Sequence, residues 1–226
     1  MGGTDSDWDR FWRLYEKPIL AAARARSLND ADCQDVLQET MIKMQSKVAM
    51  YDPDRRAIMV DRFNPKTKER ERAPVPFTKF LFRVVKGCAI DAWRRNHRRH
   101  THEVPIDRPS SEDTSRAWQE PADPGLGPGG DVEVEGQKAL VRVTLDFLLE
   151  KGSFKPKTVQ IVKALFFEEK SPEEVAKSFA TSRGNVDQAK STVLKKLTPM
   201  LRGLDQGFSL EQALTQANKP QEVNYE

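Results

Sequence analysis

A stretch rich in proline and glycine, residues 101–136, separates this chain of 226 residues into two parts. Residues 101–135 carry nine acidic side chains against two arginines, and no helical or strand periodicity runs through them. Such a segment has too little apolar surface to offset the conformational entropy that it would lose on ordering. We therefore predict a flexible acidic linker between two modules, residues 1–100 and 137–204, and a C-terminal tail at residues 205–226.

Apolar residues recur at three- and four-residue spacing on both sides of this linker, a pattern typical of amphipathic helices. In the first module these stripes occupy residues 8–19, 30–48 and 77–95. Pro18 is expected to break or kink the first of these helices. Residues 54–76 are rich in proline and charge and are predicted to form a loop. Because no segment shows the alternation of a β-strand, the predicted fold class is all-α, built as two small helical domains.

Composition and motifs limit where this protein is expected to be located and which activities it can have. No apolar run approaches the ~18 residues of a membrane helix, and the acidic N-terminus lacks the apolar segment of a signal peptide. Cys33 and Cys88 lie within apolar stripes, which favours reduced thiols in a helical core. The sequence contains no phosphate-loop, nucleophile-elbow or metalloprotease motif, and its closely spaced histidines at 97, 100 and 102 are a weak zinc pattern. We expect a cytoplasmic protein without membrane insertion, enzymatic activity, cofactor or metal.

The second module contains the pattern of a helix-turn-helix. Ser171 and Glu174 match a capping box, and Pro172 suits the first position of the helix that follows. After a turn, Ser182 can cap a second helix, and the segment 182–202 has a net charge of +4. In this layout the second helix enters the major groove of DNA. The candidates for DNA contact face away from its apolar stripe: Arg183, Asp187, Gln188, Lys190, Ser191, Thr192 and Lys195. Taken alone, the pattern fits an ordinary charged helix hairpin equally well.

The helix predicted over residues 77–100 is also basic, with seven Lys or Arg against one acid. Cationic side chains bind the phosphate backbone of DNA, and exposed aromatic rings give unpaired bases a surface for stacking. The candidates for DNA contact here are Lys86, Trp93, Arg94, Arg95, Arg98 and Arg99. In the competing interpretation the aromatic rings belong to the core and the arginines only stabilise the C-terminal end of a helix. The density of four arginines at that end favours DNA contact.

Three segments, in this order, carry a family resemblance: Asp32-Cys-Gln-Asp-Val-Leu-Gln-Glu, Phe80-Leu-Phe-Arg-Val-Val-Lys-Gly-Cys-Ala-Ile-Asp-Ala-Trp-Arg-Arg, and the helix-turn-helix. Together they resemble an RNA polymerase sigma factor of the extracytoplasmic-function (ECF) type, sigma-70 family, over residues 8–100 and 137–204. The resemblance implies an N-terminal helical bundle of sigma region 2 type and a C-terminal helix-turn-helix of sigma region 4 type. It also implies that the partners are core RNA polymerase and promoter DNA.

The same resemblance implies roles for individual residues. Asp35, Gln38 and Glu39 would contact core polymerase. The helix that carries Arg94–Arg99 would lie along minus-ten promoter DNA, and the helix-turn-helix would read the minus-thirty-five element. The acidic linker would occupy nucleic-acid channels of the polymerase, although a solubilising spacer explains its composition equally well. A separate anti-sigma factor is left open as a further partner.

Three features depart from the family pattern. The segment 53–76 is long, Gly87 stands where asparagine is typical, and Asp187 stands where a basic residue is common. Two alternative functions also stay open. A helix-turn-helix regulator acting without core polymerase needs only the second module and leaves the Asp35–Glu39 face unexplained. A helical protein-protein adaptor leaves two basic helices unexplained.

Overall fold

The computed structural model describes residues 5–52, 54–64, 68–102 and 131–218. These residues fold mostly as α-helix, which confirms the predicted helical class in its coarse form. The helices are α1 Asp5–Arg24, α2 Asp30–Lys47, α3 Phe77–His102, α4 Val132–Glu150, α5 Pro156–Phe167, α6 Pro172–Ser178, α7 Arg183–Asp205 and α8 Leu210–Ala217. A 3-10 turn, Val48–Met50, follows α2, and a small sheet contains β1 Tyr51–Asp52, β2 Ala57–Asn64 and β3 Glu69–Val75.

This sheet occupies residues that the sequence predicted to be a loop, so that prediction is wrong. β2 pairs antiparallel with both of its neighbours, in the order β1-β2-β3. Ile58 and Val75 face each other across the hairpin and pack on the helical core. Towards the tip of the hairpin the described side chains are charged and exposed, so the apolar alternation is too short to be recognised. Pro74 fits because β3 is an edge strand, where a residue without an N–H is tolerated.

The predicted break or kink at Pro18 is not a helix boundary, because α1 continues from Asp5 to Arg24 without interruption. A proline inside a helix costs about 3 kcal/mol. Here Ile19, Ala22 and Ala23, all within the next five residues, are fully buried. The burial of that apolar face offsets the lost backbone hydrogen bond.

The helix after the linker begins at Val132, five residues before the predicted start at 137, so that boundary is corrected. The Asp131 carboxylate caps α4 by accepting a hydrogen bond from the backbone N–H of Glu133 at 2.9 Å. Acidic residues stabilise the first turn of a helix through its dipole, so the last acids of the predicted linker belong to α4. Residues 103–130 lie outside the described part of the chain, and there the flexible linker stays a prediction.

One hydrophobic core contains residues from both predicted modules. α4 packs along α1 and against α3, and the C-terminal half of α7 together with α8 completes the same core. Gly136 of α4 lies so close to the ring of Phe82 in α3 that a Cβ atom at this glycine would overlap the ring. The division into two separate domains therefore stays a prediction, while the described residues of the two modules are joined by apolar packing.

Polar contacts at the end of α7 strengthen this junction. The Tyr51 hydroxyl donates a hydrogen bond to the backbone oxygen of Gln206 at 2.7 Å, and the Thr78 hydroxyl donates to the Asp205 carboxylate. The Arg56 guanidinium lies 5.0 Å from the centre of the Phe208 ring. Burial raises the pKa of the Tyr15 hydroxyl, and the nearby negative charge of Asp205 raises it further. The end of α7 is thus held by α3 and the sheet region.

Both cysteines are buried free thiols, which confirms the prediction for Cys33 and Cys88. Burial raises the pKa of the Cys33 thiol, whose Sγ donates to the backbone oxygen of Leu28 at 3.7 Å. This favours the neutral thiol at Cys33. Among the described helices, none combines the length and the apolarity that crossing a bilayer would require.

Candidate nucleic-acid interface

The helix-turn-helix predicted from the sequence is present as α6, a turn and α7. The Ser171 hydroxyl accepts from the backbone N–H of Glu174 at 3.3 Å, and the Glu174 carboxylate accepts from the backbone N–H of Ser171 at 2.8 Å. Ser182 caps α7 by accepting from the N–H of Asn185 at 3.2 Å. Ala180 turns the chain with a positive φ of 45°. Both predicted caps are confirmed.

A small separate core fixes the angle between these helices. It consists of residues from α5, α6 and α7: Ile161, Ala164, Val175, Ala176, Val186 and Ala189. Since Val186, Ala189 and Val193 are buried on one side of α7, the opposite side faces solvent. All seven predicted DNA-contacting residues of α7 are exposed, opposite the buried side or flanking it. We call them together the reading face, defined by Arg183, Asp187, Gln188, Lys190, Ser191, Thr192 and Lys195.

Ion pairs occupy one end of the reading face. The Arg183 guanidinium contacts the carboxylates of Glu173 at 2.7 Å and of Asp187 at 3.9 Å. These groups are at least half-exposed, and such pairs stabilise a fold by roughly 0–1 kcal/mol each. A phosphate or a base edge can therefore replace them at little cost. Further along α7, Lys190 lies over the Phe166 ring, with its Nζ 5.8 Å from the ring centre.

The second basic candidate surface lies on α3. Lys86 and Arg94 are exposed, and the half-buried Trp93 ring stacks on His97 with a centroid distance of 5.2 Å and an interplanar angle of 6°. Arg98 and Arg99 belong to α3, but their side chains lie outside the described residues, as do those of His100 and His102. In the part of the chain that is described, no group of three or more metal-ligating side chains occurs. Gly87, where the family pattern has asparagine, lies on α3 at a position where an added Cβ atom would meet open space.

The polymerase-contacting candidates on α2 meet this basic helix directly. Glu39 forms a 2.8 Å ion pair with Arg95. Next to it, the Asn96 amide donates to the Asp32 carboxylate at 2.5 Å. Two residues that the sequence assigned to different partners, Glu39 and Arg95, are thus partners of each other. Their pairing aligns the polar side of α2 with the C-terminal half of α3.

The rest of the predicted α2 site is open to solvent. Asp35 and Gln38 are exposed, and Ile42 lies one turn further along the same side, with 67% of its surface exposed. A single exposed apolar residue is common on protein surfaces. An apolar centre with polar neighbours is also the usual composition of a protein-binding surface. The sequence analysis did not identify Ile42, although it lies outside the apolar stripe of α2, whose buried residues include Val36, Leu37 and Met44.

No protein-family model matches this chain, and no curated protein matches it.

Proposed function

We propose that this chain is a sigma factor of the extracytoplasmic-function type, which binds core RNA polymerase and directs it to promoter DNA. The observation that carries this proposal is the contact between α2 and α3 through Glu39 and Arg95. It supports a module with a protein-binding side, centred on Asp35, Gln38 and Ile42, adjacent to a basic DNA-binding side. The exposed reading face of α7 supplies the second DNA contact.

A transcription assay with purified core RNA polymerase and a library of promoter fragments tests the proposal. We expect the full chain to bind core polymerase and to start transcription from a subset of fragments. A chain that neither binds core polymerase nor redirects initiation would refute it. If this chain still bound duplex DNA, the alternative of a helix-turn-helix regulator would replace it. That alternative is favoured by the separate small core around α6.

Two variants separate the proposed surfaces. Asp35→Ala with Ile42→Ser should weaken core binding at least tenfold, because it removes a charge and the apolar centre without touching the buried core. The matched control is Glu211→Ala, which removes an exposed acid from α8. Lys86→Glu with Arg94→Glu should abolish initiation and leave core binding intact. Arg95 is left unchanged because its loss would also break the pair with Glu39.

A further inference from the structure

A groove runs along the exposed side of α7, from Asp187 in the reading face to Arg202 beyond it. Its volume is about 550 Å³, and its cationic lining comes from Lys190, Lys195 and Arg202. A second hollow of about 430 Å³ lies between the end of α7 and the sheet, lined by Arg55, Arg56 and again Arg202. Arg202 lines both hollows, which therefore lie next to each other, and we call the two together the border groove. It crosses from the second module to the first.

The border groove is cationic, and its basic side chains are exposed and able to bind an anion. Its five basic residues are all exposed, against two acids, Asp187 and Asp205. Asp205 already accepts a hydrogen bond from Thr78, and Asp187 faces Arg183. Within the described residues, Lys195 and Arg202 form no ion pair. The pair of Arg55 with Asp52, at 3.7 Å, is exposed on the arginine side and is weak enough to exchange for a phosphate.

The geometry of α7 limits what this groove can touch. At 1.5 Å per residue, Arg202 lies about 10 Å beyond Lys195, the last residue of the reading face. In a helix-turn-helix the N-terminal residues of the second helix contact the base edges, so the C-terminal turns of α7 lie towards the DNA backbone. At that position the accessible groups of a duplex are backbone phosphates, for which arginine is well suited.

We propose that the border groove is a binding site for the phosphate backbone of duplex DNA, next to the segment read by α7. Arg55 and Arg202 are its principal phosphate ligands. The site is complete only while the sheet of the first module is packed against the end of α7. Duplex DNA is favoured over an acidic polypeptide because the groove continues directly from the reading face. The inference rests on the proposed DNA binding by α7, but not on any contact with polymerase.

Titration of the full chain with a fluorescent duplex of random sequence, over a range of NaCl concentrations and without polymerase, tests the site. Each lost phosphate contact reduces the slope of log affinity against log salt by about 0.9. Arg55→Ala with Arg202→Ala should therefore reduce the slope by about 2 and weaken binding at low salt roughly tenfold. The matched control, Arg13→Ala with Lys17→Ala on the exposed side of α1, removes the same charge and should change the slope little.

Arg55→Lys with Arg202→Lys should restore most of the slope, because lysine retains the charge. An unchanged slope and affinity in the double alanine variant would overturn the inference, and this is also the result expected if the groove binds an acidic polypeptide. Weaker binding with an unchanged slope, or a lowered thermal midpoint, would overturn it as well. Since polymerase is absent, failure of the sigma-factor proposal leaves this result unaffected.

Discussion

The two hydrophobic cores of this protein differ in how far apart along the chain their residues lie. The smaller core, under the helix-turn-helix, draws only on residues between Ile161 and Ala189. The larger one extends from Leu14 to Ala213 and joins helices on both sides of residues 103–130. Closing a loop of that length costs more entropy than forming a contact between neighbouring helices. The reading face is therefore built locally, whereas the border groove depends on long-range packing.

The difference also separates the two surfaces for which DNA binding is proposed. Residues of the reading face are positioned by caps and apolar contacts within α5, α6 and α7. Arg55 and Arg202 come together only because the larger core holds the sheet against the end of α7. Loss of the larger core should therefore remove the border groove first and leave the reading face in place.

The largest loss of stability should come from a substitution that creates a cavity in the smaller core. Ile161 is 4% exposed, and Ile161→Ala should lower the free energy of unfolding of this region by about 2–5 kcal/mol. Hydrogen exchange should show lost protection in α5–α7 and retained protection in α1–α3. The matched variant in the larger core, Leu145→Ala, should reduce protection in α1–α4 and in the C-terminal half of α7, and leave α6 and the first turns of α7 protected. Equal loss in both regions for Ile161→Ala would show that the smaller core is not separate.

A pair of glycine substitutions tests the packing of α4 on α3. Gly136→Ala places a Cβ against the buried Phe82 ring and should lower the free energy of unfolding by about 1–3 kcal/mol. Gly87→Ala, in the middle of α3, meets open space and should raise it by about 0.5–1 kcal/mol. Urea unfolding of both variants measures whether the free energy of unfolding falls in the first and rises in the second. A stabilised Gly136→Ala variant would contradict the close approach of α4 to α3.

Two tyrosines probe the junction at the end of α7. Tyr51→Phe removes the hydrogen bond to the Gln206 carbonyl and should lower the free energy of unfolding by about 1 kcal/mol. Tyr15→Phe is the control, since the buried Tyr15 hydroxyl has no hydrogen-bond partner among the described residues. Removing it should leave the stability unchanged or raise it by about 1 kcal/mol. Equal destabilisation by both, measured in urea, would mean that the Tyr51 bond contributes nothing specific.

The sequence predicted those features whose signals lie within a few residues. The caps at Ser171 and Ser182 and the exposed reading face follow from side-chain type and helical period. It did not predict the sheet, because only the end around Ile58, Val60 and Val75 packs on the core, and the residues beyond it carry exposed charges, at Asp61, Arg70, Glu71 and Arg72. Nor did periodicity identify the start of α4, because the acids that mark a linker by composition also stabilise the first turn of a helix.

The parts of the candidate sites that were missed depend on residues far apart in the sequence. Glu39 and Arg95 are separated by the whole sheet, and their pairing follows only from the packing of α2 on α3. Arg55 and Arg202 lie in different modules, so neither composition nor spacing could place them in one groove. Ile42 was visible as an apolar residue outside its stripe, but its exposure is a property of the fold.

The smallest expected effect is a difference in pH dependence between two helix caps, one beside each core. The caps of α6 and α8 have the same geometry, but Glu174 completes the first and Gln212 the second. The backbone N–H of Ser171, followed by its hydroxyl, lowers the pKa of the Glu174 carboxyl below its ordinary value of 4.5. Because the folded-state pKa is the lower one, the stabilisation by this cap is present above pH 4.5. It is lost as the pH falls through the folded-state value.

Amide exchange in the first turns of α6 and α8, compared between pH 6 and pH 3, measures this difference. We expect lost protection in α6 at the acidic end and, after correction for the intrinsic exchange rate, no comparable change in α8. Glu174→Gln should keep the cap and abolish its pH dependence, since glutamine also serves at this position. The converse substitution, Gln212→Glu, should make the α8 cap titrate in the same range. If α6 responded to acid as before in Glu174→Gln, another group would control this end of the reading face.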